Sequence, residues 1–125
     1  MTPEDAIKSA LAAIRVNAYP AEALKTAAAP FVFYLQMTWE DEDALDGPTG
    51  LLSAAFEINC VAATYAGLVG LCADVLPTLR SLQGRHFERL LIEQADVRQA
   101  SPDLKEKETN LFRRMYILQI YYQEE

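Results

Sequence analysis

The stretch GPTGLLSAAFEINCVAATYAGLVGLCADVLPTLRSL, Gly47 to Leu82, changes its hydrophobic period halfway along, and that change restricts the folds open to the chain. Leu52, Ala54, Phe56, Ile58 and Cys60 alternate with Ser53, Ala55, Glu57 and Asn59, the period of a strand with one face on a core. From Tyr65 the spacing becomes three and four: Tyr65, Leu68, Val69, Cys72, Val75, Leu76 and Leu79 form a helical stripe. Thr64 stands where an N-cap belongs. A strand that passes straight into an amphipathic helix is half of a compact unit and needs strands beyond the helix to complete it. Pro77 removes the bond to the Ala73 carbonyl, so a kink and one further turn are expected, ended by Gly84.

The flanking sequence supplies those strands. Thr2-Pro3-Glu4-Asp5 reads as a helix start, with Ile7, Ala10, Leu11 and Ile14 as its apolar stripe, ending before Tyr19-Pro20. An Ala-rich stretch to Ala29 is compatible with another helical turn, stopped by Pro30. Phe31 to Trp39 alternates as a first strand. Glu40 to Pro48 then reads as a loop with five acids (Glu40, Asp41, Glu42, Asp43, Asp46) and no base. Phe87 to Val97 is a third strand; Arg98 to Asn110, with Pro102, Lys105 and Lys107, reads as a long mobile hairpin loop. Leu111 to Tyr122 is the last strand. The order α-β-β-α-β-β predicts an α+β fold, a four-stranded sheet packed by two helices, in a single domain over residues 1–125.

The last strand is apolar on both faces: Phe112, Tyr116, Leu118, Ile120 and Tyr122 on one, Met115, Ile117 and Tyr121 on the other. Either both faces are buried within the subunit, or the surplus surface meets a neighbour, which makes Tyr116, Tyr121 and Tyr122 candidates for a subunit interface.

Chemistry is hard to place on this chain. Its one histidine, His86, falls at a helix-to-strand turn, and neither cysteine sits in a nucleophile motif. No CxxC, HExxH, Walker A or GxGxxG pattern occurs, and the acids of Glu40–Asp46 lack the ligand spacing of a calcium loop. No catalytic, cofactor or metal residue is expected. Cys60 and Cys72 fall on core positions and are expected as buried free thiols. The net charge of −7 disfavours nucleic acid as a specific partner, and Arg113-Arg114 sends one side chain to each face of a strand. No apolar run is long enough to span a bilayer, and the acidic N-terminus argues against a secretory signal.

Several segments together resemble a known family. They are the N-terminal helix, Ala29–Tyr34 opening the first strand, and Asp46-Gly47-Pro48-Thr49-Gly50-Leu51 entering the second. The junction Asn59-Cys60-Val61-Ala62-Ala63-Thr64-Tyr65 and the closing strand complete the set. The chain looks like the tail-completion or tail-terminator proteins of long-tailed bacteriophages, including head-to-tail joining proteins and the minor tail protein U type. The resemblance implies a non-enzymatic virion protein, made in the bacterial host cytoplasm, that assembles as a homohexameric ring at the head-proximal end of the tail tube. Its partners would be the tail tube protein and the head-connector or neck protein, with DNA passing through the lumen without specific binding. An acidic lumen would not hold phosphates, so Glu40–Asp46 or the Arg98–Asn110 loop, with Lys105 and Lys107, is expected to face the lumen or the tube. The alternative is a non-catalytic α+β domain that binds a ligand or regulatory partner.

Overall fold

The computed structural model describes residues 2–20, 29–44, 47–107 and 109–124, with the backbone alone for 38–44 and 47–50. Helix α1 spans Pro3–Ala13, and β1 follows at Ala18–Pro20. Strands β2, Phe31–Ala44, and β3, Gly47–Ala62, form a long hairpin. Helix α2 covers Tyr65–Arg80. The remaining strands are β4 at His86–Phe87, β5 at Leu90–Gln99, β6 at Leu104–Lys105 and β7 at Phe112–Glu124.

Both helices start where local chemistry puts them. Thr2 and Asp5 form a reciprocal capping box, and Pro3 occupies the first turn, where its missing N–H costs nothing. The Thr64 hydroxyl accepts the Gly67 N–H at 3.0 Å. A Cβ at Gly67 would stand 3.0 Å from that same oxygen, so the cap favours glycine there. Replacing Thr64 with alanine should cost about 1 kcal/mol, read as a lower urea midpoint at unchanged slope. Helix α2 continues through Pro77 to Arg80, giving the further turn expected, and Gly84 closes the following turn at a φ of +81°.

The α+β class holds, but the sheet is larger than the four strands expected. Among the described residues seven strands form one sheet in the order β1-β2-β3-β7-β5-β4, with β6 also on β7. The four expected strands are β2, β3, β5 and β7. Three strands of two or three residues were illegible because a segment that short has no period. The expected Phe87–Val97 strand is split by a turn at Glu88-Arg89, and β5 runs on to Gln99. The helical turn anticipated before Pro30 falls largely on residues 21–28, outside the described residues.

Both helices lie on one face of the sheet. There Ile7, Leu11, Leu68, Val75 and Leu79 close over Phe56, Ile58, Leu118 and Ile120, all fully buried. The core includes the even-numbered residues of β3 that sequence alternation assigned to it. Tyr116 and Tyr122 face the same core and are 4% and 1% exposed, which corrects their placement at a subunit interface: the helices already cover them.

Candidate assembly surface and the network beneath it

The second sheet face carries no helix among the described residues. In register it presents Phe31, Phe33 and Leu35 of β2, then Val61, Asn59, Glu57, Ala55 and Ser53 of β3. Beyond them lie Met115, Ile117 and Tyr121 of β7. Bulges at Gln36/Thr38 in β2 and Ile92/Gln94 in β5 shift the ladders, and such bulges bend the strands that carry them. The smaller β3 side chains are buried between longer neighbours, while Leu35 and Met37 are 49% and 50% exposed. Asn59 is fully buried on this face. Its amide donates to Glu57 Oε1 at 3.0 Å, and its Oδ1 has no hydrogen-bond partner among the described residues. Tyr121 is half-buried here, opposite Ser53 and Gln94, and is the one tyrosine of the three proposed that lies on this face.

The β2–β3 hairpin overruns the rest of the sheet. Pairing between β3 and β7 stops at Leu52 and Tyr122, whereas β2 continues to pair with β3 out to Ala44 and Gly47. A two-stranded ribbon therefore projects beyond β7 by roughly 15 Å at the usual strand rise. Glu42 and Asp43 belong to it, opposite Leu51 and Pro48, while Glu40 and Asp41 sit at its base, opposite Ser53 and Leu52, where β7 still pairs with β3. This corrects the expected acidic loop: four adjacent acids have poor strand propensity, yet pairing with Gly47–Ser53 overrides it. Charged residues along a projecting strand also discourage unspecific edge pairing. Asp46 lies outside the described residues.

The Arg98–Asn110 stretch, expected to be a mobile loop, is in part strand: Arg98 and Gln99 end β5, and Leu104–Lys105 is β6. Strand β6 pairs Leu104 with Arg113 and Lys105 with Phe112. Lys105 Nζ stands 5.5 Å above the Phe112 ring, and Lys107 is exposed in the turn that follows. Arg113 and Arg114 diverge as adjacent strand residues must. Arg113 meets Glu106 at 3.3 Å, while Arg114 grips Asp103 with two bonds of 2.7 Å. The Arg114 guanidinium, helped by the Tyr65 hydroxyl, holds the Asp103 carboxyl below the usual carboxylate range.

Tyr116 follows Arg114 two residues on along the same face of β7, and Arg114 is the register partner of Cys60 in β3. Cys72, on the buried stripe of α2, and Cys60, on β3, both belong to the hydrophobic core. The Cys60 S–H bond pulls the Cys72 thiol down to about 7, with Arg114 and Tyr116 assisting; the same bond and burial push Cys60 up. Burial raises the Tyr116 phenol. Both cysteines are free thiols, as expected, but their pairing with this network had no signal in the sequence beyond their shared core-facing positions.

A groove of about 650 Å³ lies between the end of α1 and the start of α2, lined by Arg15, Asn17, Thr64, Gly67 and Asp74 among others. No group of three His, Cys, Asp or Glu side chains able to hold a metal ion occurs among the described residues. No helix among them is long and apolar enough to cross a membrane. His86 is exposed in β4.

No family model matches the chain, and no curated protein matches it at a significant level. The fold is similar to that of a chain in the virion of a native gene transfer agent particle. The TM-score is 0.63 at 15% identity, over 90% of this chain and 83% of the other. At that identity the likeness is one of fold.

Proposed function

We propose that this chain is a structural virion subunit that forms a ring, a homohexamer, at the head-proximal end of a phage-type tail tube. The ring ends tube polymerisation and joins the tail to the head connector. The observation that carries this reading is the fold shared with a gene transfer agent virion chain over most of both lengths. The sheet face that carries no helix among the described residues supports it, with Leu35 about half exposed there, since a cyclic head-to-tail assembly needs two different contact surfaces per subunit. The projecting acidic ribbon supports it too, because a channel through which DNA moves gains from a wall that does not hold phosphate.

In this role the chain is not an enzyme and uses no cofactor. Its partners are further copies of itself, the tail tube protein and the neck protein, and it is a virion component made in the host cytoplasm. A second reading, a non-catalytic ligand- or partner-binding domain, rests on the groove beside Arg15 and Asp74.

Mixing the purified chain with tail tubes from the same source and imaging by negative stain separates the two. The expected result is a ring on one end only of each tube, with no further growth when tube subunits are added. Tubes that stay bare and keep elongating would overturn the ring role.

A further inference from the structure

We propose that neighbouring copies of this chain dock through opposite edges of the sheet, the arginines around β4 of one copy against the acidic β2–β3 ribbon of the next. The inference rests on the ring reading and names the contact that builds the ring. Charge on this chain is segregated as well as unbalanced. Arg80, Arg85 and Arg89 fall within ten residues that hold one acid, Glu88, in a chain whose net charge is −7. Glu40, Asp41, Glu42 and Asp43 are consecutive in β2.

The sheet puts the two groups on one row, at its opposite ends. Asp41 is the register partner of Leu52, Leu52 of Tyr122, and Tyr122 of Ile92. The Ile92 N–H donates to the Arg85 carbonyl at 3.0 Å, and the Ile92 carbonyl accepts the Gly84 N–H at 2.7 Å. The row Asp41–Leu52–Tyr122–Ile92–Arg85 therefore crosses the sheet from edge to edge, and its ends lie four strand spacings, roughly 19 Å, apart. Both ends are edges: among the described residues no strand pairs with β2 on its outer side beyond Tyr34, and β4 is the last strand of the order.

The basic end is open to a partner. Arg80, Arg85 and Arg89 are exposed and, among the described residues, make no ion pair. The Arg85 guanidinium stands 4.6 Å from the centroid of the Phe87 ring, which holds it on the edge and leaves its in-plane donors to a carboxylate. Two copies that meet through unlike patches leave one patch of each kind unused, so the contact repeats from copy to copy. With both patches on one row, the repeat adds no displacement along the strands. Subunits that each carry −7 otherwise repel, so pairing these patches also selects which surfaces can approach. Four acids against three arginines leave the contact negative overall, compatible with a channel wall that does not hold phosphate.

Sedimentation of the full chain tests this contact. The expected result is an oligomer at low salt whose apparent affinity falls by about tenfold or more between about 50 and about 500 mM salt, as the exposed charges are screened. Arg80→Glu, Arg85→Glu and Arg89→Glu together should leave monomers, and so should Glu40→Lys, Asp41→Lys, Glu42→Lys and Asp43→Lys together. Mixed in equal amounts, the two variants should associate again, with equal shares of each chain in the oligomer by native mass spectrometry. Placing both sets of substitutions in one chain should restore association as well. A chain that stays monomeric at low salt, an oligomer indifferent to salt, or folded variants that associate alone or stay apart when mixed overturns the proposal. The salt series on the unsubstituted chain decides the matter if a variant does not fold. Tube capping is read separately. A chain that caps tubes but fails these tests overturns this contact and leaves the ring role standing, whereas a salt-sensitive oligomer that ignores tubes does the reverse.

Discussion

Arg114→Met should lower the stability of the subunit by about 2–3 kcal/mol at neutral pH, because it strands a charge that is largely out of water. The Arg114 and Asp103 side chains are only 18% and 21% exposed, and the methionine leaves Asp103 without either of its 2.7 Å bonds. The loss should show as a lower urea midpoint. It should be accompanied by faster amide exchange in Leu104 and Lys105, since β6 is only two residues long and this ion pair anchors its N-terminal side. Arg114→Lys should recover only part of the loss, as an ammonium cannot span both carboxylate oxygens. A loss of less than about 0.5 kcal/mol in the methionine variant would place this pair among surface ion pairs of no consequence.

The same contact sets a pH dependence. Asp103 has its carboxyl pKa depressed in the folded protein, so the contribution is fully present above the unfolded value of about 4 and is lost as pH falls through the folded value. The gap in stability between the unsubstituted chain and Arg114→Met should therefore be constant above pH 5 and narrow under more acid conditions. A gap that persists unchanged to pH 2 would assign the effect to lost packing of the arginine stem instead.

What could be read from the chain follows from where periodicity survives. The alternation in Leu52–Cys60 and the stripe from Leu68 to Leu79 located β3 and α2 because the residues that pack between helix and sheet recur there at each element's own period. The last strand was legible as two-faced, but the sequence could not say that its even-numbered face alone lies under the helices. The acidic ribbon was misread as loop for a physical reason: its strand character comes from pairing with Gly47–Ser53, and local composition opposes it. A bulge at Gln36/Thr38 also breaks the alternation that had placed Phe31 and Trp39 on one face; Trp39 pairs with Ala54, on the opposite set. The Asp103–Arg114 grip was hidden for another reason. Nothing in a polar stretch such as Ala100–Asn110 marks one acid among several as the partner of an arginine in the next strand.

Replacing Glu40, Asp41, Glu42 and Asp43 together with lysine should abolish the production of joined, DNA-delivering particles while leaving the subunit folded. Glu42 and Asp43 stand beyond the last β3–β7 pair and Glu40 and Asp41 are level with its last two rungs, so most of the sheet is untouched and the subunit should still fold. Charge is what changes: eight units are added, taking the formal net charge from −7 to +1, all within four consecutive residues running into the projecting ribbon. If the tip lines a channel or meets the tube, phosphates that slid past carboxylates now release counterions on contact and are held. The lysine variant should bind duplex DNA at low salt and let go as salt is raised, where the unsubstituted chain binds none. In a complementation assay the titre should fall by orders of magnitude. A folded variant that grips DNA in the tube and still supports a normal titre would remove the ribbon from both the channel and the tube contact, and leave the second sheet face, around Phe33, Leu35 and Met37, as the surface on which assembly depends.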